Sequence, residues 1–225
     1  MIDARVHLRA MLALAVKAMA IKTYDRYRSR LWGAMQRLWN GGRDANFLGS
    51  FARSIDQQLT EAWNKGADSV GVAPDEMSQE DTNILDGIIR NENDFIQKLA
   101  DDIQALKDGG GKDEQFQSQF GSRVDLWANR YIETENRSVQ VFGTKERLMW
   151  VEGDTVDKCE VCKNLDGIVA FGWEWDEAAV NPQMPPNENL PCGGWGCHCK
   201  KVPTTERRTP KALSRILDII TAQHI

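Results

Sequence analysis

The first 158 residues of this 225-residue chain contain no cysteine, and the whole chain has only three histidines, His7, His198 and His224. So few imidazoles leave little for general acid–base work. The chain also has no glycine-rich phosphate loop, no Gly-x-Ser-x-Gly elbow and no His-Glu-x-x-His helix. The expectation is a protein that is not an enzyme. No apolar run approaches the ~20 residues that a membrane-spanning helix needs. The most apolar stretch, Met11 to Ala20, is broken by Lys17. Arg5 and Arg9 before it and Ala18-Met19-Ala20 at its end imitate a short leader peptide. The same apolar spacing continues, however, through Ile21, Tyr24, Leu31, Met35 and Leu38, so the segment reads as the start of a long amphipathic helix. Without a leader or a span, the expected setting is a reducing compartment with no membrane partner, where thiols bind metals more readily than they form disulfides.

What charge there is sits unevenly. The net charge is -5, which argues against a general affinity for nucleic acid. Residues 1–43 nevertheless carry nine Lys and Arg against Asp3 and Asp25, a net of +7. Residues 44–135 carry eight basic and nineteen acidic side chains, a net of -11, and residues 136–225 carry eleven and twelve. A basic arm followed by an acidic middle suits docking to another protein or to nucleic acid. It equally suits helices whose solvated faces differ in charge.

In chain order, residues 4–39 read as one helix, ended by Asn40-Gly41-Gly42. Asp44 is placed to cap a second helix bearing Phe47, Leu48, Phe51, Ile55, Leu59 and Trp63, with Gly66 to Pro74 as the next break. Ser78, with Asp81 three residues on, caps a third. Its stripe is Ile84, Leu85, Ile88, Ile89, Phe95, Ile96, Leu99, Ile103 and Leu106. Asp108 to Asp113, with Gly109-Gly110-Gly111, reads as a flexible link and hinge. A further helix carries Val124, Trp127, Tyr131 and Ile132, with Glu133 and Glu135 facing different ways. From Leu148 the pattern changes to short strands, at 148–151, 167–171 and 200–203, with a Pro-rich loop at 181–191 and a terminal helix opened by Pro210. The expected fold is α+β, mostly α. A helical arm or docking region spans residues 1–111, and residues 112–225 form a small β-containing, Cys-rich, zinc-binding module with a terminal helix.

All five cysteines fall between residues 159 and 199. Cys159-Glu160-Val161-Cys162 is followed, after about thirty residues, by Cys192-Gly193-Gly194-Trp195-Gly196-Cys197-His198-Cys199. Two thiolates three residues apart on a tight turn can face one ion, leaving two tetrahedral corners for a second segment. An irregular loop region has little apolar core of its own, and a structural zinc ion supplies on the order of 10 kcal/mol of stabilisation. The expected ligands are Cys159, Cys162, Cys192 and one of Cys197 and Cys199, between which the spacing does not choose. His198 points away from its neighbours in an extended chain and is the weaker donor. A surplus of thiols fits a structural Zn2+ better than a catalytic one, which keeps an open position. The alternatives are thiols packed in a small β core, or a redox Cys-x-x-Cys pair, although the βαβ context for redox chemistry is absent.

Several of these residues together resemble a known family. They are the helix with Thr134-Glu135, the following Gly143, Trp150 on a strand, the acidic turn Asp154 to Asp157 and Cys159-x-x-Cys162. Leu165-Asp166-Gly167, Pro185-Pro186 and Cys197-x-Cys199 complete the pattern. This is similar to the phage head morphogenesis domain, the C-terminal domain of the phage Mu F-like minor head proteins, over roughly residues 120–204. Two departures stand out. The family's usual His before Cys-x-Cys is absent, with Cys192 nearby, and the intervening loop is longer. The resemblance implies a minor capsid component of the virion, found in the head interior or at the portal vertex and in host cytoplasm during assembly. Its implied partners are the portal protein and the inner capsid surface, with packaged DNA as a further partner of the basic first helix. The competing expectations are a zinc-ribbon-like nucleic-acid-binding module and a delivery domain of a phage-derived toxin or enzyme. Lys200, Lys201, Arg207 and Arg208 form only a modest basic patch for the former.

Overall fold

A computed structural model describes residues 24–41, 47–153, 159–183, 187–194 and 198–222. The elements are helix α1, described over 24–39; α2, Phe47–Ser69; a single 3-10 turn, Pro74–Glu76; α3, Gln79–Asp108; and α4, Asp113–Phe142. They continue with strand β1, Arg147–Val151; α5, Glu160–Leu165; β2, Val169–Phe171; α6, Gly172–Glu177; β3, Lys200–Pro203; and α7, Ala212–Thr221. The fold is α+β and mostly α, as the residue pattern leads one to expect. Residues 4–23 of the first expected helix lie outside the described residues, as do Asp44, the acidic turn Asp154 to Asp157 and Pro185-Pro186.

The chain divides into two compact units, one within Met1–Gln58 and Arg90–Tyr131, the other Leu59–Ile89 and Ile132–Ile225. Helices α2, α3 and α4 each contribute to both. The boundary expected at residue 111 therefore falls inside the first unit. There the glycines form a tight helix end in place of the expected flexible link: the Gly110 and Gly111 amides bond back to the carbonyls of Lys107 and Leu106 at 3.0 and 2.9 Å. The Lys112 amide then donates to Gln115 Oε1 at 2.9 Å and starts α4.

In the first unit α3 and α4 run antiparallel, since Asp102 pairs with Arg123 at 2.6 Å and Glu92 with Arg130 at 3.0 Å. Helix α1 also runs against α4, with Arg28 paired to Asp125 and Trp39 Nε1 donating to Asp113 Oδ1 at 2.7 Å. Tyr27, Leu31 and Met35, Phe51 and Ile55, Leu99 and Ile103, and Phe120 and Val124 fill the space between them. Spacings of three and four residues put each set on one helix face, which is why periodicity reveals these helices. Phe95 departs from its stripe and is 56% exposed. Burial raises the Glu92 carboxyl above its ordinary range, while the Arg130 charge and a Trp127 hydrogen bond pull the other way.

In the second unit Gly66 lies inside α2 and does not punctuate it. A Cβ there would collide with the Glu135 carbonyl and the Ser138 side chain, so the glycine permits close contact between α2 and α4. Ser138 Oγ uses that proximity to donate to the Trp63 carbonyl at 2.6 Å. Ser78 and Asp81 form the expected cap: the Ser78 amide reaches Asp81 Oδ2 at 2.8 Å, and the Asp81 amide reaches Ser78 Oγ at 3.2 Å.

The sheet has the order β2-β1-β3 with both pairings antiparallel. Leu148 and Trp150 face the core with Val161, Leu165, Ile168, Trp175, Leu190, Ile216 and Ile220. Helix α6, which the residue pattern does not reveal, supplies Trp175, whose Nε1 donates to the Leu148 carbonyl at 3.2 Å. Helix α6 also supplies Glu174, fully buried. Its carboxylate accepts the Phe171 amide at 2.9 Å and a fork from Arg208, whose Nε lies 2.7 Å away. It also accepts the amide of Leu213 near the start of α7, so one carboxylate joins β2, the 204–209 loop and α7. Helix α7 begins two residues after Pro210, with Lys211 in the left-handed region at φ 52°.

Burial by itself would raise the Glu174 carboxyl, but the Arg208 pair and the two amides outweigh it and hold the carboxyl below its ordinary range. A depressed carboxylate adds stability that is present at neutral pH and is lost as pH falls below about 4.5. Glu174→Gln is expected to cost about 1.5–3 kcal/mol at pH 7, the worth of hydrogen bonds to a charged group. Urea unfolding midpoints across pH 3–7 check this: the variant should lose part of the acid-dependent slope of the parent as well as stability.

Candidate metal centre

The first two cysteines are held by a helix where the spacing suggests a tight turn. Cys159 is the residue that opens α5, with extended φ and ψ of -67° and 129°, and its carbonyl accepts the Lys163 amide at 3.1 Å. Cys162 lies in the first turn of that helix and is buried, and its carbonyl takes the Asp166 amide at 3.1 Å. A three-residue step within a helical turn brings two side chains to one side. Asp166 anchors the other end of α5, accepting the Glu152 amide at 2.8 Å just beyond β1.

Cys192 comes from a compact knot. The Asn187 amide donates to the Gly193 carbonyl at 2.9 Å, and Gly193 donates to Leu190 at 2.7 Å. Asn187 itself is buried; its Nδ2 reaches the Asn181 carbonyl at 3.0 Å and its Oδ1 takes the Asn189 amide at 3.1 Å. The sulfur of Cys192 thereby reaches the other two: the Sγ atoms of Cys159, Cys162 and Cys192 all lie within 4.8 Å of one another. Among the described residues no other group of three His, Cys, Asp or Glu side chains comes so close together. All four described cysteines carry thiols and not disulfides.

Tetrahedral sulfurs about 2.3 Å from zinc stand about 3.8 Å apart, and the three sulfurs, all within 4.8 Å of one another, are on that scale. The donor set therefore fits a metal: three soft thiols, one buried and two half-buried, from two segments. The Lys163 ammonium stands nearby. Its hydrogen bond to Glu160 raises its pKa most, and the charges of Glu152 and Cys159 add to the effect.

The expected fourth ligand comes from the next segment. Cys199 is buried in the same apolar cluster as Cys162, with Cys159 and Cys192 packed at its edge, but it stands outside the mutual 4.8 Å group. Its sulfur accepts the Gly153 amide at 3.3 Å. Position 153 requires glycine, because a Cβ would strike the His198 main chain and Cβ. The end of β1 can therefore lie directly on the residues before β3. Gln183 Nε2 fixes the same segment from the other side, donating to the Cys199 carbonyl at 2.9 Å. Cys197 lies outside the described residues, and His198 is exposed.

The roles of Gly153, Gln183 and Asn187 are not legible in the sequence. A glycine after a strand, and amides in a Pro-rich loop, are too common to single out. Lys201, a member of the basic patch by sequence, is buried instead. Its Nζ donates to Asn181 Oδ1 at 2.8 Å, with Asp176 at 3.9 Å, and burial pushes its amine down to about 8.

Cobalt titration of the purified chain reads the ligands directly, through thiolate-to-metal charge-transfer absorption. Cys159→Ser, Cys162→Ser and Cys192→Ser should each remove a share of that absorption and weaken binding at least tenfold. Cys197→Ser and Cys199→Ser compared in one series identify the fourth donor, because only the ligand's loss lowers the absorption. No protein-family model, curated protein or solved structure matches this chain.

Proposed function

We propose that this chain is a structural minor head protein of a tailed phage, whose C-terminal module is pinned by one structural zinc ion and whose helices dock on the assembling head. The observation that carries this reading is the convergence of Cys159, Cys162 and Cys192 beside a small three-stranded sheet that follows long helices. It supports a metal-braced module in the region that resembles the Mu F-like head domain. Zinc is the ion of choice for a thiol-rich closed site, because it is redox-inert and takes tetrahedral sulfur readily. When bound it would tie the α5 turn to the 187–193 turn, adding to the apolar core that Val161, Leu165 and Leu190 already supply there. The protein's own residues position the donors through the α5 turn, the Asn187 knot and the Gly153 contact.

Docking falls to the helical part under this reading. The portal protein and inner capsid surface are its partners, and packaged DNA is a partner of the basic N-terminal segment. Among the described residues of α1, Arg26, Arg30 and Arg37 are exposed, in keeping with contact to a polyanion. Contact with DNA of this kind weakens steeply with salt, by counterion release.

Two measurements test the proposal. Protein purified without added metal should retain about one zinc per chain, and chelation should unfold the C-terminal module while α1 to α4 keep their helical circular dichroism. The tagged full chain, co-expressed with the portal protein of the same phage, should retain it on an affinity column. A metal-free protein with unaltered stability would remove the zinc, and failure to retain the portal at low salt would remove the head-assembly role.

A further inference from the structure

Lys201 lies on β3 directly opposite Trp150 of the central strand. Opposed residues of an antiparallel pair project to the same side of the sheet, and Trp150 is fully buried with its ring 5.6 Å from that of Trp175. The Lys201 side chain, 2% exposed, thus enters the apolar core. Its Nζ meets two half-buried polar groups at the edge of that core. Asn181 Oδ1 is at 2.8 Å and Asp176 Oδ1, itself accepting Gln140 Nε2 at 2.8 Å, is at 3.9 Å. All three are fixed by their main chains. Asn181 is held through its carbonyl by Asn187, Asp176 by the α6 turn whose carbonyl takes the Ala179 amide at 2.9 Å, and Lys201 by the ladder with β1.

We propose that Lys201 and Asn181 join in an intramolecular isopeptide bond, formed by the protein itself with Asp176 as the proton carrier. A buried amine, a side-chain amide within hydrogen-bond reach and a neighbouring carboxylate are the three components that such a reaction requires. The Lys201 Nζ attacks Asn181 Cγ, the new Nζ–Cγ bond forms and the Cγ–Nδ2 bond breaks. The two protons that the Lys201 ammonium loses pass through Asp176 to the departing nitrogen, which leaves as ammonium. No oxidant, metal or cofactor enters the balance.

Two further features favour this chemistry. Residue 182 is proline. It has no amide N–H, so the ordinary cyclisation of an asparagine onto the following nitrogen is closed, and the Asn181 amide survives to meet the lysine. The reaction also removes a buried ammonium, which is costly to keep away from water. The resulting link closes the segment from 181 to 201, which contains Cys192 and Cys199, and braces it against the sheet independently of any metal.

Intact-mass measurement of the purified full chain tests this. The mass should fall short of the sequence by one ammonia. A tryptic digest should show no cleavage after Lys201 and a branched peptide joining the Asn181 and Lys201 segments. Lys201→Arg and Asn181→Ala should restore the sequence mass, and Asn181→Asp should shorten it by one water in place of one ammonia. Asp176→Asn should leave most of the protein unlinked. A parent mass equal to the sequence, or an ammonia lost elsewhere with Lys201 still cleaved, overturns the proposal. The parent protein alone is decisive, so the test survives a variant that fails to fold.

Discussion

Strand β1 is the constraint on which the second unit depends, because both of its edges are hydrogen-bonded and both of its ends are committed. Its Trp150 main chain exchanges bonds with Gly167 and Ile168, at 3.0 Å each, and β3 pairs along its other edge. A central strand of this kind cannot slide by one residue without moving Leu148 and Trp150 out of the core. With the register fixed, Glu152 and Gly153 leave the strand at defined places. The Glu152 amide locates α5 through Asp166, and the Gly153 amide locates Cys199. Two of the three segments that carry cysteines, α5 and the residues before β3, are thus positioned from one strand end.

The region between β1 and β3 supplies much of the second unit's apolar core, Val161, Leu165, Ile168, Trp175, Val180 and Leu190 among it, and buried polar groups fix its loops. Asn187, Gln183, Glu174 and Lys201 are all buried, and each has a partner in the main chain or in another side chain. Buried polar groups that are satisfied in this way specify one arrangement more than they add net stability. A metal on the three thiols and the proposed link between Lys201 and Asn181 would act in the same direction, since each would close a loop of this region.

The helical part obeys a different logic. Its stripes bury Leu, Ile and aromatic side chains at helical spacing, and its ion pairs, Arg28 with Asp125 and Arg123 with Asp102, lie at half-exposed positions where each is worth little. What they do is report direction: they fix α1 and α3 as antiparallel to α4. The net charge of -11 counted over residues 44–135 is thereby spread over solvated helix faces and not gathered into one site.

The long helices, the three strands, the cap at Ser78 and the grouping of Cys159, Cys162 and Cys192 in one donor set are all legible from residue order. Each is encoded locally, in periodicity, in a capping pair or in the spacing of thiols. Other outcomes belong to the folded chain. Gly66 sits inside a helix, Gly109 to Gly111 make a helix end, α6 forms, Lys201 sinks beside Asn181 and Gly153 lies against His198. Those features depend on which backbone approaches which across tens of residues. A glycine, a lysine or an asparagine looks the same in the sequence whether or not another strand lies against it.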